Sequence, residues 1–190
     1  MRLKTAGSTG TQAEAGSWLD APAWTRLGRR LQDALARARR GRHGAEVIAS
    51  VSCQLTGALA GADPSAIVVA SRVGAEPWFV LEQPARAAQS LATLGCAREL
   101  TAEGPDRFTQ VARAWRELVA GAAADPVPHP PAPPGVGLAA VGGFAFADEV
   151  ADPRWRGFAA ASLLVPEFAL ARRGSHAWLT VNVSVTADDT

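Results

Sequence analysis

Residues 140–149 read AVGGFAFADE. Two adjacent glycines, two phenylalanines one residue apart and a pair of acids allow three readings: a phosphate-cradling loop, a piece of an active site, or a strand with a kink. A phosphate loop of the G-x-x-x-x-G-K-[ST] kind needs a lysine after its glycines, and none follows here. A dinucleotide fingerprint needs G-x-G-x-x-G running into a helix, whereas this stretch is β-prone. Adjacent glycines inside a strand mark a bulge or a close backbone approach. Phe144 and Phe146 share one face at a period of two. The segment therefore predicts a bent strand whose aromatic side packs inward.

The whole chain sets limits around that strand. Its 190 residues suit one domain or part of a larger one, and 48% hydrophobic content can build a core. With 19 basic and 18 acidic residues, net charge +1, the chain lacks the strongly basic balance of an electrostatic nucleic-acid binder. Lys4 is the sole lysine. No apolar run approaches the ~18 residues of a membrane span, and the N-terminus has no apolar signal region, so a cytoplasmic location is expected. Cys53 and Cys96 fit no metal spacing and read as buried, reduced thiols.

Residues 1–17 predict a flexible tail. Residues 18–44 predict a helix with Asp20 as N-cap, Pro22 in the first turn, and Trp24, Leu27, Leu31, Leu35 and Ala38 on one stripe. Gly41 and Gly44 can stop it, and Arg37, Arg39, Arg40 and Arg42 oppose its dipole. Seven arginines between Arg26 and Arg42 face one acid, Asp33. Without interleaved aromatics or a docking motif, they read as a solvated face rather than a nucleic-acid surface. The stretch 45–55 alternates, with Val47, Ala49, Val51, Cys53 and Leu55 on one side, as a half-buried strand. Residues 65–84 read as two β-rich runs around a hairpin turn at RVGAEP, and 91–100 as another short strand.

Residues 104–122 give the clearest helix signal. Pro105 and Asp106 suit its start, and Phe108, Val111, Ala112, Trp115, Leu118 and Val119 form one apolar stripe expected in the core. Residues 125–137, DPVPHPPAPPGVG, hold six prolines and predict a semi-extended linker that can neither join a ladder nor continue a helix. Two β-prone runs follow, 158–173 and 175–186, around a hairpin turn at RRGSH.

No nucleophile elbow or H-E-x-x-H zinc motif is present. Glu82, Glu149 and Glu167 are the candidate carboxylates, but nothing in the sequence pairs them, and His129 has no partner for a metal site. The residues alone indicate an α+β protein, mostly antiparallel sheet with helices packed on it, with no catalytic residue, cofactor-binding residue or metal ligand assigned.

Taken in order, PWFVLEQP (77–84) with LATLGCAREL (91–100), then GPDRFTQVARAWREL (104–118), then GLAAVGGFAFAD (137–148) with WRGFAAASLLVPEFALAR (155–172) resemble the N-terminal part of the chorismate-utilising enzymes. The likeness is greatest to the isochorismate synthases. The anthranilate and aminodeoxychorismate synthases are less similar, since their glycine segment leads to a tyrosine-bearing stretch and this chain has no tyrosine. The resemblance implies a partial chorismate-binding fold of the aminodeoxychorismate synthase-like type over residues 18–190. In the complete enzyme it implies conversion of chorismate to isochorismate, toward menaquinone or siderophores, with Mg²⁺. It places the chemistry in a C-terminal portion, where a lysine in a K-V-V-L-[AS]-R strand activates water, an acid serves the leaving hydroxyl and glutamates hold the metal. None of these has a counterpart here, Lys4 being in the wrong place. The expectation is an N-terminal fragment or truncated relative of an isomerase, inactive alone, which self-associates or needs a C-terminal catalytic portion. A non-catalytic binding or regulatory module that keeps the scaffold is the alternative.

Overall fold

The computed structural model describes residues 18–41, 44–126, 132–147 and 159–190. The predicted tail, His129 and Glu149 lie outside them. The main sheet takes six strands: β1 (Val47–Gln54), β2 (Trp78–Gln83), β3 (Gln89–Leu94), β5 (Ala123–Ala124), β8 (Phe168–Arg173) and β9 (His176–Val185). Their order is β2-β3-β8-β9-β1-β5. All neighbours are antiparallel except β1 and β5. A second sheet of three strands, β4 (Arg98–Ala102), β7 (Ala161–Val165) and β6 (Val141–Phe144), runs in the order β4-β7-β6. The expected α+β class with mostly antiparallel strands is what the chain adopts.

The two sheets share two continuous runs of chain. β3 and β8 are neighbours in the first sheet, and β4 and β7 are neighbours in the second. The segment 91–100, read as one strand, is two: it leaves the first sheet at Leu94, turns at Gly95 and enters the second at Arg98. Likewise 161–173 is broken at Pro166 and Glu167. Gly95 has φ 75°, and a Cβ on it would lie 2.8 Å from Oε2 of Glu167, so both conformation and space call for glycine. The RRGSH hairpin turn forms as expected between β8 and β9.

Helix α1 (Ala21–Arg40) covers one face of the main sheet. Asp20 Oδ1 accepts from the Ala23 N–H at 2.7 Å, and the Gly41 N–H closes the other end on the Arg37 and Ala38 carbonyls. Leu19, Ala23 and Leu27 join Val51, Cys53, Leu170, Leu179 and Val181 in the largest core. Trp24, expected on the buried stripe, is 54% exposed. Ala23 and Trp24 both border the stripe one turn before Leu27, and the smaller side chain turned under.

Residues 64–71, read as a strand, form helix α2 (Pro64–Ser71) instead. Asp63 accepts from the Ser65 and Ala66 N–H groups, and Pro64 fits the first turn. This local start signal, with Val68 buried against the sheet, outweighs the β preference of the Ile-Val-Val run.

Helix α3 (Arg107–Gly121) forms where expected, but its apolar stripe is largely open. Val111 is buried among Ala102, Ala161 and Leu163. Phe108 is 50% and Val119 44% exposed, Ala112 is exposed, and Trp115 and Leu118 are half-buried. Arg107, which the stripe omitted, is buried. Its guanidinium donates to the carbonyls of Gly104, Ala145 and Phe146, fastening the first turn to the chain just after β6.

β6 is the glycine strand. A Cβ on Gly142 would sit 2.0 Å from the Ser162 carbonyl oxygen of β7. Here the expected close backbone approach is met. The expected inward aromatic face is not: Phe144 stacks on Phe108 at 4.9 Å yet stays 44% exposed, and Phe146 is fully exposed. β6 is an edge strand: among the described residues no further strand pairs with it. The proline-rich linker is no free connector at its described ends. Val136 is buried against Ala171 and Trp178, and the Gly137 N–H donates to Ser52 Oγ and Thr180 Oγ1.

Two consequences are measurable by chemical denaturation. Gly142→Ala should cost about 1–3 kcal/mol by forcing β6 from β7, whereas Gly143→Ala, with open space at its Cβ, should change stability by less than about 1 kcal/mol. On α3, Val111→Ala should cost roughly 2 kcal/mol for two buried carbons and their cavity. Trp115→Ala should fall below the ~3–5 kcal/mol of a fully buried tryptophan. Equal losses at Gly142 and Gly143 would contradict the close approach.

Candidate functional site

α3 packs on the second sheet through β4 and β7 and also touches β1 of the main sheet. It is wedged into the angle between the sheets. A cleft of about 260 Å³ opens there, with Ile48, Leu100 and Leu118 as apolar walls and Glu46, Arg98 and Glu117 as its charged groups. Glu46 precedes β1 and Arg98 begins β4, so their ion pair bridges the two sheets. Both side chains are partly solvated, and such a pair contributes little to stability. The cleft brings together no nucleophile with a base.

Of the candidate carboxylates, Glu82 and Glu167 stand at opposite ends of β3. Glu82 lies opposite Ser90, while Phe168, next to Glu167, lies opposite Leu94. Four to five residues of strand and two inter-strand spacings put their backbones roughly 16–19 Å apart. Glu82 is exposed and accepts from Ser65 Oγ. Glu167 is half-buried at the corner against Gly95. Neither faces the other, so the pairing that acid–base chemistry needs is not built from these two. Among the described residues, no group of three or more His, Cys, Asp or Glu side chains stands close enough to hold a metal ion.

Both cysteines are free. Cys53 is buried, as expected, and Cys96 is half-buried, more open than expected. Burial pushes the Cys53 thiol up, helped by the Asp20 carboxylate. Burial also raises the Cys96 thiol, with the Glu99 and Glu167 carboxylates adding to it. A raised thiol holds less thiolate at neutral pH, the opposite of an activated nucleophile.

The arginines of α1 have internal work. Arg26 and Arg30 each donate through Nε to Asp125 at 3.0 Å, and Arg26 also donates to the Ser52 carbonyl. Arg37 reaches the Gly121 and Ala122 carbonyls at the end of α3, and Arg39 reaches those of Ala187 and Asp189. This face ties α1 to β5, α3 and the residues after β9. The signal in the sequence was the helical spacing of Arg26, Arg30 and Arg37. What it lacked was their distant partners, Asp125 lying 99 residues beyond Arg26.

A family model described as chorismate binding enzyme matches residues 33–190. No curated protein matches. Among solved structures, MenF, the menaquinone-specific isochorismate synthase from Escherichia coli, is similar at 16% identity with a TM-score of 0.36, over 83% of this chain and 29% of that one. The chain thus spans less than a third of that protein's length. No helix among the described residues is long and apolar enough to cross a membrane.

The thiol environments make a checkable statement. At neutral pH both cysteines should alkylate more slowly in the native protein than in denaturant, Cys53 the slower of the two. Cys96 reacting natively as fast as it does unfolded would place it in an activating environment that this geometry does not contain.

Proposed function

The chain belongs to the family of chorismate-binding enzymes, and on that premise we propose that it forms the N-terminal scaffold of an isochorismate synthase-type protein and carries no working active site of its own. The observation that carries this reading is the family match over residues 33–190, set beside a residue inventory with a single lysine, Lys4, ahead of the matched region. Exchanging the hydroxyl of chorismate requires a base to activate water and an acid to assist the departing hydroxyl. The described residues offer neither as a positioned pair. The choice of isochorismate synthase over the anthranilate and aminodeoxychorismate synthases is supported by the segment after Gly142 and Gly143, which holds phenylalanine where those enzymes carry tyrosine. The product would feed menaquinone or siderophore synthesis, in the cytoplasm.

The same reading assigns a partner surface. Phe108, Phe144 and Phe146 stand exposed at the open edge of the second sheet. Unpaired edges and apolar patches favour association. In the proposed protein they meet either the polypeptide that supplies the catalytic groups or a second copy of this chain.

The purified chain, supplied with chorismate and Mg²⁺, should form no isochorismate by chromatography. Light scattering should show species heavier than a monomer that grow with concentration. Turnover would show that the active site lies in residues assigned here to scaffold. A monodisperse monomer that binds no hydrophobic dye would favour a self-sufficient binding or regulatory module.

A further inference from the structure

The main sheet ends on β2, whose outer edge is open. Among the described residues β2 pairs only with β3, and α2 packs on β3 and β8. No residue of Trp78–Gln83 is buried, and Trp78 is 46% and Leu81 42% exposed. The strand contains no proline or glycine and a single charge, Glu82, so it lacks most of the devices that close an edge.

The register decides which backbone groups this edge offers. The Gly95 N–H donates to the Pro77 carbonyl, and the ladder that sets Trp78 opposite Leu94 sets Pro77 opposite Gly95. Hydrogen-bonded pairs alternate along an antiparallel ladder, so Phe79, Leu81 and Gln83 turn their backbone groups toward β3. Trp78, Val80 and Glu82 turn theirs outward. The side chains of Trp78 and Glu82 share the face on which α2 lies. Arg72, just after α2, stands 4.6 Å over the Trp78 ring, and Ser65, in the first turn of α2, donates to Glu82 Oε1.

We propose that this edge pairs with the same edge of a second copy of the chain, antiparallel about a twofold axis through Val80. Opposite residues of an antiparallel pair share a face, and a twofold axis normal to the sheet carries each face onto itself. Centred on Val80, the register sets Val80 against Val80, Trp78 against Glu82 and Phe79 against Leu81, and all three outward residues find partners. Centring on Phe79 sets Glu82 against Glu76, like against like. Centring on Leu81 sets Trp78 against Pro84, which has no N–H. In the Val80 register, Glu82 Oε2 of one copy comes beside Arg72 over Trp78 of the other, and the pair occurs twice. Within one chain four strand residues hold Trp78 and Glu82 about 13 Å apart, so these charges meet only between copies. The surface lies on the main sheet, away from the Phe108–Phe144 edge, and does not depend on the scaffold reading.

The test takes the purified full chain over a range of concentrations, by sedimentation velocity and by amide hydrogen exchange. A dimer should form, and the Trp78, Val80 and Glu82 amides, fast in the dilute protein, should slow with the same midpoint. Val80→Pro removes the central outward N–H and leaves the β3 ladder intact, so it should weaken the dimer by about tenfold or more. Arg72→Glu and Glu82→Arg should each weaken it, and the two together should restore it. This charge exchange carries the test if Val80→Pro does not fold. A monomer at every concentration overturns the proposal and leaves the edge to a different strand. Heavier species that form while the three amides stay fast also overturn it, and place self-association at β6. A double variant no tighter than its parents overturns the register.

Discussion

Asn182, one buried side chain on β9, holds the corner on which both sheets turn. Its backbone N–H donates to the Glu167 carbonyl and its Nδ2 to the Pro166 carbonyl, each at 2.8 Å. These are the two residues where the chain leaves β7 for β8. Pro166 has no N–H of its own to offer, and the break in the ladder leaves its carbonyl and that of Glu167 in need of donors. On the paired run the Ala97 N–H reaches the Val165 carbonyl at 2.8 Å, so pairing resumes two residues past Gly95. The angle between the sheets, the seat of α3 within it and the cleft beside α3 all follow from this bend.

The main sheet divides its two faces between different kinds of interaction. On β9, Leu179, Val181 and Val183 turn toward α1 and supply the apolar burial. Trp178, Thr180, Asn182 and Ser184 alternate to the other side. There Thr180 and Ser52, bonded to each other at 2.8 Å, take the Gly137 N–H, and Asn182 takes the corner. The first face gives energy that depends little on direction. The second gives hydrogen bonds that do depend on it, and they fix where the incoming chain at 132–137 and the second sheet must lie. A wholly apolar second face would bury more area but leave both connections unspecified.

Local rules were legible wherever one residue or one turn decided the outcome. Asp20 and Gly41 bounded α1, the RRGSH turn made its hairpin, and the paired glycines marked the tight approach of β6 to β7. The ordered motifs carried the family. Reading failed where tertiary contacts chose among local options. The Ile-Val-Val run of α2 has β preference, but Asp63 and Pro64 start a helix. The α3 stripe was periodic enough to promise a core, yet only Val111 finds one, and the buried first-turn residue is a charged arginine that no hydrophobic pattern selects. The inward turn expected of Phe144 and Phe146 failed for the same reason: period two states which residues share a face and says nothing of what covers it. Glu82 and Glu167 were open candidates in sequence because their separation depends on register, which places them on opposite sides of β3 and near its opposite ends.

The arginines show how charge is used in a chain with almost no lysine. A lysine in place of Arg26 would offer a point charge to Asp125, whereas the guanidinium also reaches the Ser52 carbonyl with a second, geometrically fixed N–H. The same fork lets Arg107 serve three carbonyls from a buried position and Arg37 serve two. Each joins segments far apart in sequence, and each would lose directed hydrogen bonds, not merely charge, on replacement by lysine. A lysine suits chemistry that depends on shedding a proton, and an arginine at neutral pH never sheds one. The arginines of the matched region are thus suited to hold a scaffold together through directed hydrogen bonds.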